Sequence, residues 1–172
     1  MRTDVLAELK ALRLHGMAQA WGELQAQGNH HGLQTEGWLI EHLLRAEHAE
    51  RHMRSIAHQM KSARFPLHRD LAGFDFTGSV VDRSLVEQLS DLSFTEAAHN
   101  VVLIGGPGTG KTHLAIALGV AGVTRQSRRV RFYSTVDLVN ALEQEKAQGK
   151  AGRIAAALLN VDLVVLDELH LV

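Results

Sequence analysis

Eight consecutive residues, Gly105-Gly106-Pro107-Gly108-Thr109-Gly110-Lys111-Thr112, satisfy the spacing G-x-x-x-x-G-K-[ST]. Glycines at these places let a backbone curl until successive N–H groups point inward, a concavity suited to phosphate oxygens. Lys111 would reach the β- and γ-phosphates of ATP, and the Thr112 hydroxyl would ligate Mg²⁺. Downstream, the apolar run Leu163 to Leu166 ends on two carboxylates, Asp167 and Glu168, with Asp167 56 residues after Lys111. Asp167 suits the Mg²⁺ shell, and Glu168 suits orienting and polarising an attacking water. Neighbouring side chains of a strand face opposite sides, so the two roles need not collide. Lys111 and Glu168 are thus the catalytic candidates, Gly105 to Thr112 the nucleotide-binding ones, and Thr112 and Asp167 the metal ligands.

Such residues need strands and helices to hold them. Val101-Val102-Leu103-Ile104 is a short continuous apolar run, the pattern of a strand buried on both faces, and it leads into the glycine loop. A helix is predicted from Lys111 to about Val123, then a strand over Val130 to Tyr133. Ser134 and Asp137 have capping-box spacing, which opens a helix to about Gln148. After Gly149 and Gly152 comes a helix ending near Asn160, then the strand from Leu163. Strand–helix alternation implies a parallel sheet.

The first hundred residues read differently. Val5, Leu9 and Leu12, then Met17, Trp21 and Leu24, keep helical spacing, which predicts one helix over 4–27, ended by Gly-Asn-His-His-Gly at 28–32. A longer helix is predicted from a cap at Thr35 to about Ala63, with Leu39, Leu43, Met53, Ile56 and Met60 on its apolar side. Phe65-Pro66 stops it. An extended connector follows over 65–80, and a short helix from Asp82 to Leu92. The domain reading is a helical unit over 1–64, a connector with a short helix over 65–99, and a nucleotide-binding segment over 100–172.

The chain has 172 residues, 45% apolar and 22% charged, the balance of a globular protein. No apolar run approaches a membrane span, and the N-terminus lacks the apolar stretch of a secretory signal, so a cytoplasmic location is expected. With no cysteine, disulfides and zinc-thiolate sites are excluded. A net charge of −1 leaves no global basic footprint for nucleic acid.

Three segments, together with Val164 to Leu169, carry a family resemblance: Leu12 to Ala18 (LRLHGMA), Asn100 to Gly119 (NVVLIGGPGTGKTHLAIALG), and Val130 to Phe132 with Ser134 to Val139. They resemble the IstB family of insertion-sequence ATP-binding proteins, AAA+ ATPases close to the helicase loader DnaC. The resemblance covers nearly the whole chain. It implies an AAA+ type P-loop NTPase sheet behind a small all-α N-terminal domain. It also implies ATP-dependent assistance to DNA transposition, with an IstA-like transposase and DNA as partners and a homo-oligomer that holds ATP between subunits. Gly105 to Thr112 match its Walker A motif, Asp167 and Glu168 its Walker B motif, and His113, in the continuation typical of this branch, joins the nucleotide-binding candidates. The family usually reads Asp-Glu-Leu-Gly-Tyr where this chain has Asp167-Glu168-Leu169-His170-Leu171. The sensor-1 strand, arginine finger and sensor-2 region implied by the family lie beyond Val172. The expected sheet is therefore incomplete at its C-terminus, with the 101–104 strand lacking its neighbours. Alternatives are a DnaC-like helicase loader, a small-molecule kinase, and a truncated remnant without activity.

Several further residues have both a functional and a plainer reading. Arg45 to Arg69 contains six basic and two acidic residues plus four histidines, either a DNA-contacting face or a solvated one. Lys146, Lys150 and Arg153 flank a glycine-rich break and are further candidates for backbone contacts to DNA. His48 and His52 have an i, i+4 spacing that can bind metal, but no third ligand accompanies them, and surface placement is expected. Trp21 and Trp38 are expected to pack the N-terminal helices. One of Arg128, Arg129 and Arg131 could face a neighbouring subunit.

Overall fold

The computed structural model describes residues 4–26 and 36–168. The 28–32 break, Thr35 and Leu169 to Leu171, each singled out above, lie outside them. The chain forms two compact units, Met1–Ala57 and His58–Val172, whose boundary falls inside a helix.

In the first unit the predicted single helix is two, α1 (Val5–Ala11) and α2 (His15–Ala26). Asp4 caps α1 by accepting the N–H groups of Leu6 and Ala7 at 3.1 and 3.3 Å. Arg13 then turns left-handed, with φ 57°. The restart is held by a residue far away in sequence: Glu47, on α3 (Glu36–Ala63), accepts the Gly16 and Met17 N–H groups at 2.9 and 3.2 Å. A Cβ on Gly16 would collide with the Ala46 carbonyl, so only glycine lets the two backbones approach this closely. Glu47 is buried and also takes a 2.7 Å bond from Arg51. Burial works to raise its pKa, but the bonds from Arg51, Met17 and Gly16 outweigh it and hold the carboxyl below its ordinary range. Leu12 and Met53, expected in the core, are 67% and 63% exposed. The buried residues of α2 are instead the small ones, Gly16, Ala18 and Ala20.

The second unit is built around α6 (Lys111–Gln126), whose residues Leu114 and Ile116 to Val123 are all buried. A helix apolar on every side belongs inside its domain. Phe65 lies edge-on to Phe132 and covers Gly119, while the fully buried Leu92 covers Gly122. The predicted Asp82–Leu92 helix is α4 (Arg83–Leu89), capped by Asp82; beyond it Leu92, at φ 59°, leads into a short α5 (Ser93–Glu96) that the sequence did not indicate. Two strands, β1 (Val130–Ser134) and β2 (Leu163–Asp167), pair in parallel from Val130↔Leu163 to Ser134↔Asp167. Between them run α7 (Thr135–Ala147) and α8 (Arg153–Leu158). Asp162 fixes the register at the start. Its carboxylate takes the Arg129 N–H at 2.7 Å and the guanidinium at 3.0 and 3.2 Å, which holds its pKa below the ordinary value.

The predicted strand over 101–104 does not form: Val102 is 69% and Ile104 86% exposed, and only Leu103 packs, against the cluster of Val86, Leu114 and Leu118. An apolar run becomes a strand only when a partner supplies its hydrogen bonds, and β2 pairs with β1 instead.

Candidate functional site

The glycine loop runs directly into α6. Gly108 and Gly110 have φ of 74° and 85°, the left-handed region in which side-chain-bearing residues are strained. The Gly106 carbonyl closes the loop, accepting the Thr109 hydroxyl at 2.8 Å and the Lys111 ammonium at 2.6 Å. Around Gly106 and Gly108, space for a Cβ is open, so both backbones are approachable from outside. Gly110, by contrast, lies against Phe74: a Cβ there would be 2.5 Å from the ring.

From the first turn of α6, the Thr112 hydroxyl reaches Asp167 Oδ1 at 3.1 Å, joining residues 55 apart in sequence. Parallel pairing to β1 brings Asp167 there, because it places Ser134 and Asp167 side by side at the same end of the sheet. The Thr135 hydroxyl donates to the Asp167 carbonyl at 2.8 Å, and Ser134 Oγ to Glu168 Oε2 at 3.3 Å. Ser134 precedes α7 but makes no side-chain cap bond, so the capping-box reading is replaced by this contact to Glu168. The two carboxylates therefore address different elements, Asp167 the phosphate loop and Glu168 the β1–α7 junction. Glu168 itself leaves the strand with φ 60°. Sequence reasoning missed Ser134 as a partner of the Glu168 carboxylate and Thr135 as a partner of the Asp167 main-chain carbonyl, because register decides these contacts and spacing does not reveal them.

These residues fit a nucleotide with Mg²⁺. The loop's backbone is accessible, Lys111 supplies a cation, and Thr112 and Asp167 present adjacent hard oxygens of the kind Mg²⁺ takes alongside phosphates and water. Among the described residues no group of three or more His, Cys, Asp or Glu gathers as a self-sufficient metal site. His48 and His52 are both exposed on α3.

His113 is bonded elsewhere: its ring nitrogen Nε2 lies 2.9 Å from the Asp70 carbonyl of the connector. The basic candidates are largely neutralised. Arg45, Arg51 and Arg54 pair with Glu41, Glu47 and Glu50 one turn earlier. Arg128 pairs with Glu96, Arg129 with Asp162, and Arg131 donates to the Ser62 carbonyl at 2.6 Å. Lys146, Lys150 and Arg153 are exposed around Gly149 and Gly152, where buried Glu145 accepts the Arg153 and Ile154 N–H groups. Trp38 stacks on His42, with ring centroids 5.1 Å apart. Among the described residues no helix is long and apolar enough to cross a membrane.

Comparison with known proteins finds ATP-binding proteins of insertion sequences. An insertion-sequence ATP-binding protein of Geobacillus stearothermophilus is 31% identical over 159 residues, covering 92% of this chain and 62% of that protein. One of Pseudomonas aeruginosa is 39% identical over 127 residues, covering 73% of this chain and 48% of that protein. A third, of Sinorhizobium fredii, is 32% identical over 167 residues. The chain thus spans about half to three-fifths of the length of these relatives. The family described as IstB-like ATP binding protein matches residues 7–172, nearly from end to end. The chain belongs to the IstB-like ATP-binding protein family of insertion sequences.

Proposed function

We propose that this chain binds ATP with Mg²⁺ at Gly105–Thr112 and forms the nucleotide-binding part of an AAA+ type ATPase that assists DNA transposition. The observation that carries the reading is the 3.1 Å contact between Thr112 and Asp167, which unites the loop's hydroxyl with a strand-end carboxylate. Backbone N–H groups of the loop and the Lys111 ammonium bind and orient the phosphates, with the N-terminal end of α6 adding its positive dipole. Thr112 and Asp167 hold Mg²⁺, whose role when bound is to neutralise charge on the phosphate oxygens. Glu168, steadied by Ser134, orients a water and accepts its proton.

The relatives are ATP-binding proteins of insertion sequences, which supports an IstA-like transposase and DNA as partners of the whole protein, working as a homo-oligomer. Exposed Lys146, Lys150 and Arg153 are the cations best placed for sequence-independent contacts to phosphates, since the arginines of α3 are already paired. Titration with a fluorescent ATP analogue tests the binding step. Lys111→Ala removes charge-assisted bonds worth about 1.5–3 kcal/mol each, so affinity should fall at least about tenfold. Equal affinity in the two proteins would overturn the reading.

A further inference from the structure

The first turn of α6 divides its side chains between two tasks. Lys111 and Thr112 go to the phosphate loop and Asp167. Gly110, His113 and Leu114, at i, i+3 and i+4, share the opposite side of the turn and meet the connector. There Asp70 takes the Gly73 N–H on its carboxylate at 2.8 Å, forming a tight turn, and offers its main-chain carbonyl to His113 at 2.9 Å. A carbonyl only accepts, so His113 donates through a protonated Nε2. The half-buried His113 ring stands edge-on to Phe74, with centroids 5.3 Å apart. Phe74 in turn lies on Gly110, meets Phe76 at 4.7 Å and packs into the cluster that contains Leu114.

We propose that His113 is a positioning residue: through the Asp70 carbonyl it clamps the first turn of α6 to the connector, and so holds Lys111 and Thr112 in register with the phosphate loop. Two features mark this as more than packing. The bond joins two segments 43 residues apart, and it sits one residue from the proposed metal-binding hydroxyl. Polar main chain of a solvent-facing connector would otherwise bond to water, leaving the turn joined to the connector by apolar contacts alone, those of Phe74 and of the cluster around Leu114.

The clamp rests on the proposed ATP site, so the test carries one readout that needs no nucleotide. In the full chain, His113→Phe keeps a ring without a donor, and His113→Gln keeps a donor at similar reach without the ring. By NMR hydrogen exchange without nucleotide, the Leu114 amide, which makes the first hydrogen bond of α6, should exchange about fivefold faster in H113F, the value of one neutral bond. It should stay near wild type in H113Q, while Val120 and Val123 in the helix interior stay unchanged in both. Affinity for a fluorescent ATP analogue with Mg²⁺ should follow the same order. Wild-type exchange at Leu114 in H113F would overturn the clamp, as would equal acceleration in H113F and H113Q or loss of protection along the whole helix. Failure of wild type to bind the analogue would sink the nucleotide reading instead, and the exchange comparison would still decide the clamp.

Discussion

Replacing Gly110 with alanine introduces two separable costs. At φ 85° a residue with a Cβ pays about 1–2 kcal/mol for left-handed backbone. The new methyl would also sit 2.5 Å from Cε2 of Phe74, so the ring must retreat by about 1 Å from a position fixed by Phe76 and His113. Overpacking of that kind costs about 1–3 kcal/mol. Together the two amount to roughly 2–5 kcal/mol, a large part of the about 5–15 kcal/mol available to a domain. Gly106→Ala is the matched control, because its site is open within 4 Å and its φ is not positive. Hydrogen exchange along α6, read by mass spectrometry, should show protection falling by a factor of about 30 or more in G110A and barely changing in G106A. Adding Phe74→Leu to G110A should recover part of the loss, since it relieves the collision but not the backbone strain. Equal protection in G110A and G106A would refute both the loop conformation and the approach of Phe74.

Both tryptophans, Trp21 and Trp38, lie in the first unit, so their fluorescence reports its unfolding alone. Glu47→Gln should destabilise it by about 1.5–3 kcal/mol at neutral pH, the worth of a charge-assisted bond. Because the folded carboxyl titrates below its ordinary 4.5, its contribution is complete above that pH and lost as pH falls through the lowered value; the Gln variant should lack this acid dependence. Within the second unit, amides of 130–134 and 163–167 should exchange on the order of 100-fold or more slowly than those of 101–104, because only the former share a ladder. Comparable protection in 101–104 would show that this segment is paired after all.

Much of the site was legible because its parts are local. The glycine loop's backbone is dictated by residue type, and the runs at 130–134 and 163–167 carry enough apolar character to form a strand pair behind it. What escaped the sequence depends on distant partners. The Val5–Leu24 pattern continues smoothly through Arg13, yet the helix breaks there, where the carboxylate of Glu47 caps the restart and Gly16 lets α3 come close. Val101 to Ile104 are as apolar as β2, but apolar character expresses a preference for burial and does not supply a neighbour. Ser134 has the spacing of a cap, and the register of β1 against β2 turns its hydroxyl to Glu168 instead.

Whether Thr112 and Asp167 form one Mg²⁺-dependent nucleotide site, as proposed, is tested most directly by a double-mutant cycle on affinity for a fluorescent ATP analogue. Thr112→Val, Asp167→Asn and the double variant would each be titrated with Mg²⁺ and with a chelator. If the two oxygens share one cation, each single variant should abolish most of the Mg²⁺-dependent affinity. The double should then lose little more, a coupling of about 1 kcal/mol or greater. Without Mg²⁺ all four proteins should bind alike. Full Mg²⁺ dependence retained in either single variant, or strictly additive losses, would contradict the site as described.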